Sequence, residues 1–219
     1  MPRVPELVIF DSDGVLVDSE GISNAVLAHA LSAVGLPTSA DEALRDYKGL
    51  ILHDVVARAQ ARLGAPLPDG FAEAFESDRL LEFRRRLMPI AGAAATVRSL
   101  RAAGVKVCVA SQGKLEKTAL TLHLTGLEDL FPEGTRFSAY TVPRGKPHPD
   151  LFLHAAAAMH ASPDRCIVVE DTTIGVSAAR AAGMRVYGYA ADSDEAALRA
   201  AGAEIIHSLT DLPALIGLS

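Results

Sequence analysis

Short runs of aliphatic residues alternate along most of the chain with longer, alanine-rich stretches of helical pattern. The short runs are rich in β-branched residues and have the length of strands that are buried on both faces. Alternation of such strands with helices is typical of a parallel sheet with crossover helices, so we predict an α/β fold with a Rossmann-like core. The predicted strands are 7–10, 105–110, 137–141, 166–170, 185–189 and 204–207, and the predicted core helices include 93–103, 174–182 and 194–201.

The stretch from about residue 20 to 87 departs from this alternation because it contains no convincing strand. Glycine and proline residues mark turns between its helical patterns, which cover 22–34, 40–47, 50–63 and 70–87. We interpret the stretch as a helical domain, 17–87, inserted into an α/β core formed by 1–16 and 88–219. Two chain crossings would join them, so a hinge there would open and close a cleft.

Composition and charge narrow the possible partners. The chain has 219 residues, 49% of them hydrophobic, which is enough to bury a full core. A net charge of −6 creates no field that attracts nucleic acid. No apolar signal segment is evident, and no uncharged stretch approaches the roughly 18 residues of a membrane helix, so we expect a cytoplasmic protein without a membrane partner. Cys108 and Cys166 lie in strand-like runs and are predicted to be buried free thiols.

Two acidic residues follow the first predicted strand in the run Asp11-Ser12-Asp13-Gly14. Open α/β sheets bind their ligands at the carboxyl ends of the strands, and Gly14 allows a sharp turn there. Two carboxylates at such a position favour a hard cation and a phosphate group. Helix capping would explain one of the acids but not both, because only one residue can occupy the cap.

Other polar residues follow two further predicted strands. Ser111 and Gln112 come after the strand at 105–110, where a hydroxyl and main-chain N–H groups can bind phosphate oxygens. Lys146 precedes a helix in a loop stiffened by prolines, and Glu170-Asp171 ends the strand at 166–170. A helix N-cap or a solvated surface position would explain each of these residues taken alone. It does not explain the whole set in this order, so the sequence predicts a phosphate site.

These four segments, taken in order, resemble the motifs of the haloacid dehalogenase superfamily of hydrolases over nearly the whole chain. The resemblance is to the group with an inserted helical cap, which includes β-phosphoglucomutase and sugar-phosphate phosphatases. It implies that Asp11 attacks phosphorus and forms an aspartyl-phosphate, while Asp13 protonates the leaving oxygen and then activates water. It implies Lys146 as the cation that neutralises the remaining charge.

The same resemblance implies Mg²⁺ as the cofactor, since this metal prefers oxygen ligands. The ligands expected are a carboxylate of Asp11, the main-chain carbonyl of Asp13 and a carboxylate of Asp171. Glu170 is expected to bind the metal or to orient one of its ligands.

The cap matches the mutase pattern only in part. Lys48-Gly49 resembles the cap Lys-Gly of the β-phosphoglucomutase group and would direct Lys48 into the cleft. The mutase histidine, twelve residues after the nucleophile, is replaced by Ser23, and the mutase arginine by Leu52. A mutase must protect its phospho-enzyme from water, so these differences favour hydrolysis.

We therefore predict a phosphatase, expected as a monomer, acting on a small phosphorylated metabolite such as a sugar or sugar-acid phosphate. The alternative is a phosphomutase. Lys114 is a candidate contact to the distal part of the substrate, although a solvated lysine at a helix start explains it equally well.

Two hypotheses from other classes are less consistent with the sequence. A signalling receiver also combines acids, a hydroxyl, a lysine and magnesium, but it carries adjacent acids after its first strand and has no helical insert. A non-catalytic scaffold derived from a hydrolase would not need to retain Asp11, Asp13, Lys146 and Asp171.

Overall fold

The computed structural model describes residues 4–218, and within this range six parallel strands form one sheet. The strands are β1 Leu7–Phe10, β2 Lys106–Ser111, β3 Arg136–Ser138, β4 Cys166–Glu170, β5 Arg185–Tyr189 and β6 Glu204–Ile206. Their order in the sheet is β3-β2-β1-β4-β5-β6. Because β1 pairs in parallel with both β2 and β4, the loops that follow these three strands meet at one edge of the sheet.

The predicted α/β class and its parallel sheet are confirmed, with one notable difference at β3. The prediction extended this strand to residue 141, but the chain leaves the sheet after Ser138 and forms a short 3-10 turn over Ala139–Thr141. The hydroxyl of Ser138 accepts a hydrogen bond from the N–H of Tyr140 at 3.1 Å, which stabilises the turn in place of a longer strand.

The helices surround the sheet and fill the stretch between β1 and β2. They are α1 Glu20–Ala33, α2 Ala40–Tyr47, α3 Leu52–Leu63, α4 Phe71–Arg86, α5 Ala93–Ala102, α6 Leu115–Leu124, α7 Asp150–Ala158, α8 Thr173–Ala181, α9 Glu195–Ala200 and α10 Leu212–Leu215. The seven helices whose bounds were predicted begin and end within two residues of the prediction. In the described part of the chain, no helix is long and apolar enough to cross a membrane.

The sheet is covered on both faces, as expected for parallel strands. All of β1 is buried, and its side chains alternate between two hydrophobic clusters. Val8 and Phe10 belong to the cluster that contains Leu100 of α5. Leu7 and Ile9 belong to the cluster on the other face. Cys108 and Cys166 lie in that second cluster as buried free thiols, as predicted.

Helices α1 to α4 have a hydrophobic cluster of their own, and the described chain forms no strand between residues 20 and 87. The cluster includes Leu27, Leu31, Tyr47, Val55 and Phe71. The left-handed Gly64 ends α3, and a capping box begins α2. The division at residues 16/17 and 87/88 into core and cap remains a prediction.

Replacement of Leu31 by alanine should destabilise the protein. Leu31 is fully buried in the cluster of α1 to α4, so the substitution should lower the free energy of unfolding by about 2–5 kcal/mol. Leu44→Ala is the matched control, since Leu44 is 36% exposed and should change the stability by less than about 0.5 kcal/mol. Urea unfolding followed by circular dichroism measures both values, and equal losses would contradict a packed cluster at Leu31.

Candidate active site

Several of the predicted site residues lie at the edge of the sheet where β1, β2 and β4 end. The N–H of Asp11 continues the ladder by donating to the carbonyl of Val169 at 2.9 Å. This hydrogen bond sets Asp11 beside the end of β4, which carries Glu170. A cavity opens above this edge and is lined by core residues together with Tyr47, Phe75 and others from α1 to α4.

Lys146 lies at the centre of the site with its side chain only 2% exposed. Its ammonium group donates to Asp11 Oδ1 at 2.5 Å, to Glu170 Oε1 at 2.5 Å and to the main-chain oxygen of Ala110 at 3.0 Å. Three acceptors match the three protons of an ammonium group. Burial alone would lower the pKa of Lys146, but the carboxylates of Asp11 and Glu170 raise it above its usual value.

The electrostatic surroundings of Asp11 differ from those of Asp13, and they shift its pKa in the opposite direction. Burial raises the pKa of Asp11 well above its usual value, Lys146 opposes this shift, and the nearby acids Glu170, Asp13 and Asp171 add to it. The carboxyl group of Asp11 is therefore held in a site crowded with negative charge, where a further cation would be favourable.

Asp13 is held by two donors that we did not predict from the sequence. Its carboxylate forms an ion pair with Lys117 of α6, and the hydroxyl of Ser19 donates to Oδ1 at 2.6 Å. Burial opposes ionisation, but Lys117 outweighs it and holds the pKa of Asp13 below its usual value. The sequence signals were weak: Ser19 follows Asp13 by six residues, and Lys117 lies in the first turn of the helix that follows Ser111.

Glu170 is fixed by a cradle of main-chain and hydroxyl donors. Its Oε2 accepts from the N–H of Asp171 at 3.1 Å, from the N–H of Thr172 at 3.2 Å and from the Thr172 hydroxyl at 2.9 Å. The first turn of α8 passes so close that a Cβ at Gly175 would lie 1.9 Å from the Glu170 carboxyl carbon. Glycine at this position therefore makes room for the carboxylate.

Asp171 meets a lysine from the helical stretch. Lys48, at the end of α2, lies 2.7 Å from Asp171 Oδ2 and also donates to the hydroxyl of Ser193 at 2.9 Å. Burial raises the pKa of Asp171 to about 7, with Lys48 opposing and Glu170 adding to the shift. The other oxygen, Oδ1, is buried and has no hydrogen-bond partner among the described residues.

The remaining predicted residues lie around this centre. Ser111 is fully buried, and its hydroxyl accepts from the N–H of Gly113 at 3.0 Å. Gln112 lines the cavity and bonds the main chain of Lys146 in both directions, at 3.1 and 3.2 Å. Lys114 also lines the cavity, but its side chain is 45% exposed and lies 2.9 Å from Glu76 of α4. Ser111 does not line the cavity itself, so its predicted contact to phosphate stays a prediction.

The donor set fits a hard divalent cation. The strand ends carry four carboxylates against three lysine ammonium groups: Asp11, Asp13, Glu170 and Asp171 against Lys48, Lys117 and Lys146. The Oδ1 atom of Asp171 is buried without a hydrogen-bond partner among the described residues, so this carboxylate oxygen is available to a cation. Residues 4–218 contain no preformed cluster of three or more Asp, Glu, His or Cys side chains for a metal. Two carboxylates and a main-chain carbonyl require no such cluster.

The family model of haloacid dehalogenase-like hydrolases matches residues 5–183. The chain therefore belongs to the haloacid dehalogenase-like hydrolase family and is an enzyme, as its motifs predicted.

Relatives and solved structures extend this finding. The chain is 32% identical over 193 residues to 6-phosphogluconate phosphatase of Escherichia coli (strain K12), covering 88% of this chain and 85% of the relative. It is 31% identical over 188 residues to hexitol phosphatase B of the same organism, covering 84% and 83%. A crystal structure of a haloacid dehalogenase family hydrolase from Deinococcus radiodurans R1, with bound phosphate and sodium, is similar with a TM-score of 0.78 at 33% identity, covering 97% of this chain and 96% of that one.

Substitution of Gly175 by alanine tests the cradle around Glu170. The added methyl group must displace the buried carboxylate, so Gly175→Ala should lower the free energy of unfolding by about 1–3 kcal/mol. Gly21→Ala is the control, because Gly21 lies in α1 with no atom within 4 Å of the added carbon. This control should leave stability unchanged or raise it by up to about 1 kcal/mol. Chemical denaturation measures the free energy of unfolding of both variants. If Gly175→Ala is as stable as wild type, the carboxylate of Glu170 is not confined by Gly175.

Proposed function

We propose that this enzyme is a magnesium-dependent phosphatase that hydrolyses a small phosphorylated carbohydrate through an aspartyl-phosphate on Asp11. The observation that carries the proposal is the contact of Asp11 with the buried Lys146, beside Asp13, at the floor of a cavity. The names of both E. coli relatives support a phosphorylated carbohydrate as the substrate. The phosphate in the D. radiodurans structure supports an anion site in this fold.

Asp11 would act as the nucleophile in the first step. A carboxylate oxygen attacks phosphorus, the bond from phosphorus to the substrate oxygen breaks, and the phosphoryl group is then carried on Asp11. Both partners are negatively charged, so the reaction requires positive charge at the same place. Lys146 supplies it from 2.5 Å and, because its pKa is raised, remains protonated.

Asp13 would transfer the protons in both steps. Lys117 favours the carboxylate of Asp13 in the free enzyme, so Asp13 would take up a proton as the phosphate ester binds. This carboxylic acid gives its proton to the leaving oxygen, and the resulting carboxylate then accepts a proton from the water that attacks the phosphoryl group on Asp11. Ser19 and Lys117 contact this carboxylate, so they would orient it for the second step. The cycle ends with free phosphate and Asp13 protonated again.

Magnesium would be held by the carboxylates of Asp11 and Asp171 and by the main-chain carbonyl of Asp13. When bound, it would supply positive charge that offsets the repulsion of the nucleophile and the phosphate. The carboxylate of Glu170 already accepts hydrogen bonds from Lys146, Asp171 and Thr172. We therefore assign Glu170 the role of orienting these groups.

Hydrolysis is favoured over the mutase reaction by the surroundings of Asp13. Ser23 lines the cavity where the mutase pattern has its histidine, and the cation on Asp13 is Lys117 from α6. Lys117 follows β2, so it belongs to the predicted core and stays with Asp13 when the cap opens. The phospho-enzyme would then remain reactive toward water, since none of the described residues that line the cavity is a histidine.

Replacement of Asp11 by asparagine should remove the nucleophile. We expect kcat on 4-nitrophenyl phosphate to fall by at least about 1,000-fold, because an amide cannot form the acyl phosphate. Asp18→Asn is the matched control, since Asp18 is exposed near the same strand and should keep its activity. Release of 4-nitrophenol measures both variants. Turnover of Asp11→Asn within tenfold of wild type would rule out this nucleophile.

Removal of divalent cations with EDTA should abolish phosphate release, and excess Mg²⁺ should restore it. Four carboxylates against three ammonium groups leave the site too negative for a phosphate dianion without a further cation. Malachite green measures free phosphate, and a parallel melting curve checks that EDTA leaves the protein folded. Full activity in metal-free buffer would contradict the proposed cofactor.

A further inference from the structure

The cavity continues beyond the reaction centre toward α4, where one face of the helix carries Phe75, Glu76 and Arg79. Phe83 follows one turn later and is buried. This wall lines the same cavity as Asp11 and Asp13, so a substrate bound there through its phosphate would have the α4 residues within the same cavity.

Arg79 is held in a fixed orientation by aromatic rings. Its guanidinium carbon lies 5.0 Å from the ring centre of Phe75 and 6.0 Å from that of Phe83. The side chain is only 17% exposed. A planar cation packed in this way has lost most of its rotational freedom before a ligand arrives.

The donors of Arg79 are poorly satisfied within the described residues. Its Nε is buried and has no hydrogen-bond partner. The nearest carboxylate, Glu76, lies 3.7 Å from Nη2 and accepts instead from Lys114 at 2.9 Å. A buried donor without a partner is costly, so the position favours a ligand that supplies an acceptor.

The other cations that line the cavity each have a carboxylate at hydrogen-bond distance in the described structure. Lys146 contacts Asp11, Lys117 contacts Asp13, Lys48 contacts Asp171, and Lys114 contacts Glu76. Among these lining residues, Arg79 is therefore the cation whose hydrogen-bonding capacity is left for a ligand.

We propose that Arg79 binds a carboxylate of the substrate, so that the preferred substrates are phosphorylated sugar acids rather than phosphorylated polyols. The proposal rests on the proposed phosphatase function and adds a determinant of specificity to it. A guanidinium group matches a carboxylate with two parallel hydrogen bonds, whereas a hydroxyl group offers no charge and a single acceptor atom. Glu20 and Asn24, which also line the cavity, are suited to sugar hydroxyls.

The test compares two substrates that differ at one carbon. 6-Phosphogluconate and glucitol 6-phosphate share the chain and the phosphate ester, and differ by a carboxylate or a CH₂OH group at C1. The quantity measured is the ratio of kcat/KM for the acid to that for the polyol. Because both substrates are assayed on one preparation, any misfolded fraction cancels from the ratio.

We expect wild type to prefer the acid and Arg79→Met to lower the ratio by about 10- to 100-fold, mainly through KM for the acid. Arg79→Lys keeps the charge but loses the planar fork, so it should lower the ratio by a smaller factor. Arg85→Met is the matched control on α4, because Arg85 is exposed and paired with Glu82. It should leave the ratio unchanged.

The outcomes separate this inference from the function on which it rests. If wild type releases phosphate from neither substrate nor from 4-nitrophenyl phosphate, the proposed function fails. If both substrates are hydrolysed but wild type prefers the polyol, the substrate class is wrong. If wild type prefers the acid and the Arg79 variants keep its ratio, the carboxylate is bound elsewhere and the assignment of Arg79 is overturned.

Discussion

The site depends on one buried ammonium group. Lys146 joins the end of β1, through Asp11, to the end of β4, through Glu170, and it also bonds the main chain of β2 at Ala110. Loss of Lys146 would leave the carboxylates of Asp11 and Glu170 buried without their shared cation, and breaking a buried ion pair in this way typically costs about 3–5 kcal/mol. Since β2, β1 and β4 are neighbours in the parallel sheet, the topology brings all three acceptors within reach of a single side chain.

The second constraint is the close approach of the main chain to two carboxylates. It explains why glycine occupies two positions near the site. Gly175 lies against Glu170, and Gly14 lies so close to Asp171 that a Cβ there would be 2.3 Å from Oδ2. Gly14 also has a φ of 77°, a conformation that other residues rarely adopt. The acids at the end of β4 are thus confined from both sides, which fixes their distance from Asp11.

Several site residues could be predicted from the sequence because their position follows from the end of a strand, whereas Lys146 was predicted from its loop and from the resemblance to the family. Asp11, Ser111 and Glu170 each end or follow a buried apolar run, and parallel pairing alone brings such residues together. Lys117 and Arg79 could not be found in this way because each lies on a helix. Which face of a helix meets the cavity depends on how helices pack, and single lysines and arginines on helices are usually solvated. The early end of β3 likewise depended on one hydroxyl, that of Ser138.

The cavity has two parts, the sheet edge and the wall formed by α4, which differ in their charged groups. This difference indicates that the two parts have different roles in binding a substrate. At the sheet edge, acids outnumber lysines, and Asp11 and Asp171 both have raised pKa values because burial and neighbouring acids disfavour their charged forms. A cation bound there would relieve this repulsion and allow a phosphate to approach, so cation and phosphate should each strengthen the binding of the other. At α4 the position differs, because Arg79 packs against aromatic rings and its Nε has no hydrogen-bond partner among the described residues. The sheet edge is therefore suited to the chemistry that every substrate shares, and the helical wall to the group that distinguishes one substrate from another.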